Sequence, residues 1–200
     1  FKEITRVSIE TCNDNFTPVM IGVSSTYTLG AIRRAEYAAK LGADAIQTTL
    51  PYWMELSESQ IVPFFQAVSD AAGHCPMSIY ETTRSKHVLT LEQHRAIKDA
   101  IPNYIMVKSN ANTLGSTNEG CKLLSEFVNV FVGERLWPKL VPSGAKGACS
   151  AMVYWNPFLI MSYWKTVQTN NFNKISSLSS KISSLDAFIQ SEYSHLGFTD

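Results

Sequence analysis

Net charge, clustered cysteine and long apolar runs are all scarce in this 200-residue chain. Seventeen lysines and arginines face seventeen aspartates and glutamates, and no stretch is rich in Lys or Arg. No nucleic-acid groove is therefore expected. Cys12, Cys75, Cys121 and Cys149 form no C-x-x-C pair and no close Cys/His cluster. That argues against a structural zinc and for reduced, mostly buried thiols in a cytoplasmic protein. No apolar run is long enough to span a membrane, and the N-terminus lacks the layout of a signal peptide. "NFT" at 15–17 matches a glycosylation acceptor, but without a secretory signal it reads as polar loop. His74, His87, His94 and His195 have no metal-ligand spacing and read as surface or rim residues, so neither metal nor other cofactor is expected.

What is present is alternation. Short β-branched or apolar runs at 18–24, 43–50, 75–80, 104–108, 128–134 and 147–153 are separated by segments of helical period. The helices are expected at 27–42, 57–73, 90–100 and 116–127, with a short helical turn near 136–143. Ser57 with Gln60 and Thr90 with Gln93 have the spacing of capping boxes. Pro63 either kinks the second of these helices or moves its start. Asn156-Pro157 opens another helix to about 170, and Ile175, Leu178, Ile182, Leu185 and Ile189 mark a last amphipathic helix, with a serine-rich linker as the alternative.

Six strands joined by helical crossovers require a parallel sheet, and the absence of a Gly-rich loop after the first strand favours a barrel over an open nucleotide-binding sheet. Ser24, Thr49, Tyr80, Lys108, Glu134 and Ser150 fall where strands end. In a parallel barrel those ends meet on one face, where reactive groups gather. Lys108 ends the apolar run "YIMV", and Tyr80 ends the run before it. A lysine whose stem lies in apolar surroundings has a more accessible neutral amine, which suits imine chemistry with a 2-oxo acid and needs a proton shuttle nearby. The plain alternative is a solvated lysine where the strand reaches water. Glu134 is open between an acid or base near the imine, a partner for Arg135, and an acceptor for a loop N–H. Trp137, Tyr154, Trp155, Tyr163 and Trp164 read as core packing and a subunit interface.

Several short motifs lie in one order: "PVMIGVSSTYTLGAIRRAEYAAKLGADAIQTTLPYW", "PMSIYETTR", "IMVKSNAN", "FVGE" and "SGAKGACSA". In this order they resemble the dihydrodipicolinate synthase / N-acetylneuraminate lyase superfamily of Schiff-base aldolases. The resemblance implies an eight-stranded (β/α)8 TIM barrel of which this chain covers roughly strands 3 to 8. It implies a partial barrel over residues 1–155 and a C-terminal helical segment over 156–200. It places the imine-forming lysine on Lys108 and the catalytic tyrosine on Tyr80. The substrate-binding set it implies is Tyr52, Trp53, Arg84 (across a one-residue gap), Gly133, Glu134 and the backbone near Cys149.

The implied activity is that of a lyase, aldolase or dehydratase acting on a pyruvate-like 2-oxo acid, with an aldehyde as a second substrate, in a homodimer or homotetramer. Trp53 stands where the synthases carry a second tyrosine, and "KSNAN" replaces their usual acidic-and-glycine sequence, which points to a branch with a different 2-oxo acid. The first two strands and their carboxylate-binding loop have no counterpart here, so the chain is expected to be a portion of a longer protein. The alternative is a non-catalytic or split homologue that keeps the fold as a scaffold or regulator.

Overall fold

The computed structural model describes residues 1–196; residues 197–200 of the expected C-terminal segment lie outside that range. Helix α1 (Lys2–Asp14) leads into five repeats of strand and helical segment: β1 (Met20–Gly22), α2 (Thr28–Lys40), β2 (Ala45–Thr48), α3 (Glu58–Ala71), β3 (Met77–Glu81), α4 (Leu91–Ala100), β4 (Tyr104–Ser109), α5 (Asn118–Leu124), β5 (Asn129–Phe131) and the short α6 (Trp137–Leu140). Helices α7 (Pro157–Gln168) and α8 (Phe172–Tyr193) follow.

The five strands are all parallel and pair in chain order, β1-β2-β3-β4-β5. An open doubly wound sheet reverses its strand order part-way; this one does not. Right-handed crossovers in an unreversed order place every helix on the same side, which is the arrangement of a barrel. Residue burial follows from it. Ile21, Val23, Ile46, Met77, Ile79, Val107, Val130 and Val132 face the helices and are buried. Their alternates Gln47, Tyr80, Lys108 and Phe131 form the inner face and are only half-buried, while Met20, Gly22 and Asn129 are exposed.

Small and bulky side chains alternate where the helices meet the sheet. Ala31, Ala35 and Ala38 of α2 let that helix approach closely, whereas α3 inserts Ile61, Phe64, Phe65 and Val68. Each such buried aliphatic or aromatic side chain contributes about 1.5–3 kcal/mol. Pro63 neither ends α3 nor displaces its start, because the Ser57–Gln60 capping box already fixes the first turn. Thr90 and Gln93 cap α4 in the same way. Trp137 packs against Trp164 and Tyr163, with centroids 4.8 and 5.5 Å away, and thereby joins α6 to α7. Ile160, Tyr163, Val167, Ile175, Leu178 and Ile182 belong to the same buried cluster as the strands, so α8 is a packed helix and not a linker. No helix among the described residues is long and apolar enough to cross a membrane.

Three expectations need correction. The sixth strand, expected over 147–153, is reduced to a single bridge between Phe131 and Gly147. Glu134 takes the hydrogen bonds that would have continued it: its Oε1 accepts from the Ser150 hydroxyl (2.9 Å) and the Met152 N–H (3.0 Å), curling the chain into a 3-10 turn at Met152–Tyr154. The helix expected over 116–127 is shorter, because the Thr117 hydroxyl accepts from Gly120 N–H and starts α5 at Asn118 after a separate 3-10 turn at Leu114–Ser116. Finally, His94 is not a rim residue. It is 0% exposed beneath α4, on the same stripe as Leu91 and Ile97.

Candidate active site

Strand β4 has a bulge. Met77 pairs with Tyr104, but Ser78 pairs with Met106, so Ile105 is an extra residue in the register. Such an insertion changes which side chains stand opposite each other from that point on. Beyond it Tyr80 is level with Lys108, and both lie on the inner face at the C-terminal ends of neighbouring strands. The Lys108 Nζ stands 4.1 Å from the centroid of the Tyr80 ring, a distance at which the negative face of the ring attracts an ammonium group. The Tyr80 hydroxyl is held by Asn110, whose Nδ2 donates to it at 2.9 Å.

The outer side of the same two strands is buried and polar. Glu81, next to Tyr80, turns toward the helices and is 3% exposed. One of its oxygens accepts from Leu89 N–H (3.1 Å), and the other lies 3.5 Å from His94 Nε2. His94 Nδ1 meets the Tyr104 hydroxyl at 3.0 Å. Burial, with the Glu81 charge second, pushes the Tyr104 phenol well above its ordinary value. This chain of groups ties α4 to the β3 and β4 that carry Tyr80 and Lys108.

At the mouth, Ser24 Oγ accepts from Thr49 N–H (3.1 Å) and joins the ends of β1 and β2. Cys149 lies close enough to Lys108 for charge to matter: burial pushes its thiol up, and the lysine's positive charge pulls it partly back. Gly133 and Glu134 line a cavity of about 320 Å³ with Ser109, Asn110, Arg135 and Met152. Arg135 pairs instead with Asp186 of α8. Of the three readings open for Glu134, the loop N–H is the one with a contact.

A family model described as the dihydrodipicolinate synthetase family matches residues 2–198. The chain belongs to that family. A 4-hydroxy-tetrahydrodipicolinate synthase of Helicobacter acinonychis is 26% identical over 188 residues, which are 90% of this chain and 62% of that relative. YagE, a prophage protein of Escherichia coli K12 described as belonging to the dihydrodipicolinic acid synthase family and solved in complex with pyruvate, superposes with a TM-score of 0.82 at 21% identity. That match covers 94% of this chain and 64% of YagE. CdNal from Clostridium difficile, solved with mannosamine, gives 0.85 at 16% identity over 95% of this chain and 65% of that one. These two likenesses are of fold. The chain spans 49% to 62% of the length of three curated relatives that it matches.

Within this dihydrodipicolinate synthetase fold, the structure brings Lys108 and Tyr80 together, leaves Cys149 within reach of the lysine's charge, and sets Gly133 and Glu134 beside Asn110. Trp53 is 73% exposed and Tyr52 about half exposed, in the loop after β2. That loop is fastened to the one after β3, because Lys86 Nζ donates to the Trp53 carbonyl at 2.9 Å. Arg84 stands exposed on the 3-10 turn Thr83–Ser85, and its side chain makes no hydrogen bond or ion pair among the described residues. Sequence reasoning missed Asn110, which carries no signal beyond following the lysine strand by two positions. It also missed His94, for which the apolar spacing from Leu91 and Ile97 was a usable sign.

Proposed function

We propose that this chain is a lyase or aldolase, or a dehydratase, that takes a pyruvate-like 2-oxo acid through a Schiff base on Lys108, with Tyr80 as the proton shuttle. The observation that carries this reading is the placement of the Lys108 amine against the Tyr80 ring on the inner face, at the ends of adjacent strands. In the proposed step the amine nitrogen forms a bond to the carbonyl carbon and the carbonyl π pair moves to oxygen. The carbon–oxygen bond then breaks, and the nitrogen lone pair closes the C=N bond. Counted from the ammonium, one proton stays on the iminium nitrogen and two leave with the oxygen as water. The Tyr80 hydroxyl relays those protons. The ring face that now attracts an ammonium would attract the iminium cation equally, and the iminium withdraws electrons from the adjacent carbon so that a bond there can form or break.

We assign Arg84 to the substrate carboxylate, Tyr52 and Trp53 to the rim, and Gly133, Glu134 and the Cys149 segment to the wall facing an aldehyde substrate. The pyruvate complex of YagE supports the choice of 2-oxo acid. A homodimer or homotetramer in the cytoplasm is the proposed setting, and the exposed Tyr154, Trp155 and Phe158 offer an apolar surface for self-association.

Borohydride reduction in the presence of pyruvate, followed by intact mass and peptide mapping, tests the reading. A reduced pyruvyl adduct on the peptide holding Lys108, absent from Lys108→Ala, is the expected result. A folded, full-length protein that gains no adduct favours the competing reading of a non-catalytic or split homologue. The exposed side chain of Arg84, without a hydrogen bond or ion pair among the described residues, is the observation on that side.

A further inference from the structure

Asn110 is held in place by more of its atoms than a loop residue needs. Its backbone N–H donates to the Glu81 carbonyl at 3.2 Å, its own carbonyl accepts from the Thr113 hydroxyl at 2.7 Å, and its side-chain Nδ2 donates to the Tyr80 hydroxyl at 2.9 Å. The next turn is set by Asn112 at φ 64, a left-handed conformation that asparagine tolerates. The two backbone anchors fix the main chain from which the Asn110 side chain reaches Tyr80.

We infer that Asn110 is the positioning residue that fixes the Tyr80 hydroxyl as a proton relay. This rests on the Schiff-base reading of Lys108 and goes beyond it by naming the group that orients the relay. A phenolic oxygen can accept hydrogen bonds and donate one. The amide N–H fills one accepting site with a donor that does not itself transfer a proton. The O–H is then left to give a proton to the departing oxygen, and a free lone pair to take one from the Lys108 nitrogen. When the phenol gives up its proton, the same N–H bond becomes charge-assisted and strengthens, so it favours the transient state over the resting one. The Lys108 nitrogen over the ring and the Asn110 nitrogen on the hydroxyl thus hold Tyr80 from two directions.

Asn110→Asp is the informative variant, because it keeps the size and both backbone anchors and replaces the donor with an acceptor. The rate of borohydride-trappable adduct with pyruvate is measured on the full chain for the wild type, Asn110→Asp, Tyr80→Phe and the double variant, with circular dichroism to verify folding. Asn110→Ala, which removes the donor and leaves both backbone anchors, serves if the aspartate variant does not fold. Losing the donor slows adduct formation about tenfold, the scale of one such hydrogen bond, and the effect vanishes in the Tyr80→Phe background. An aspartate variant at the wild-type rate, or one that is slowed equally without the Tyr80 hydroxyl, overturns the assignment. A folded, full-length wild type that forms no adduct brings down the imine reading and this inference with it, an outcome distinct from an adduct whose rate ignores Asn110.

Discussion

Tyr80 and Lys108 stand level because β4 holds one residue more than β3 between their paired ends: three steps separate Met77 from Tyr80, and four separate Tyr104 from Lys108. Without the bulge at Ile105, Tyr80 would face Val107, whose side chain is buried on the outer side. The local irregularity therefore sets the amine against the ring.

The ring and the hydroxyl of Tyr80 should be separable. Tyr80→Phe keeps the face beneath the Lys108 nitrogen and removes the relay, so the rate of imine trapping with pyruvate is expected to fall at least about 100-fold. Tyr80→Leu removes the ring as well, and because the ring face attracts the ammonium and the iminium alike, the fraction trapped at equilibrium is expected to match that of Tyr80→Phe. Quenched-flow borohydride trapping measures both quantities. Equal rates for the wild type and Tyr80→Phe would remove the shuttle role, and a lower yield for Leu than for Phe would show that the ring favours the iminium over the ammonium.

Period and punctuation made the layered part of the fold legible. The strands through Phe131 and the capped starts of α3 and α4 follow from alternation and from Ser57–Gln60 and Thr90–Gln93. Lys108 beside Tyr80 could be anticipated because adjacent parallel strands end on one face. The rest depends on contacts distant in the chain. "GACSAMV" has the composition of a strand, yet it is captured by a carboxylate from Glu134. The bulge at Ile105 is a matter of register between two strands and leaves no mark within either one. His94 is a polar residue on an apolar stripe, acceptable there because Tyr104 and Glu81 lie behind it.

The buried Tyr104 makes stability fall in alkali. Burial holds its phenol protonated well above the ordinary value of 10.0, while the unfolded chain releases that proton near 10.0. The stabilising effect is therefore complete below pH 10 and is lost as pH rises past it, at about 1.4 kcal/mol per pH unit for each such proton. Tyr163, whose phenol burial also raises, adds in the same direction. Tyr104→Phe is expected to cost about 1–2 kcal/mol at neutral pH, because His94 Nδ1 loses its partner. Its stability should then fall less steeply above pH 10. Urea unfolding followed by circular dichroism between pH 8 and 11 measures both effects, and parallel slopes for the two proteins would contradict the assignment.

Cys149 reports on the charge of Lys108. Burial is the larger influence and raises the thiol above its ordinary value of 9.0, and the lysine works against it. Removing the positive charge should therefore leave less thiolate at about pH 8, and thiolate is the form that alkylating agents attack. Lys108→Met is expected to slow iodoacetamide labelling of the Cys149 peptide, whereas Lys108→Arg, which keeps the charge, should not. The difference should shrink as pH rises far enough to ionise the thiol in both proteins, since accessibility alone would slow labelling equally at every pH. Pyruvate offers a further check, because an iminium keeps the positive charge on nitrogen while placing the pyruvyl group beside Cys149. Labelling that slows with pyruvate in the wild type and not in Lys108→Met would locate the bound 2-oxo acid next to the thiol. A rate indifferent to pyruvate in both would put the substrate elsewhere.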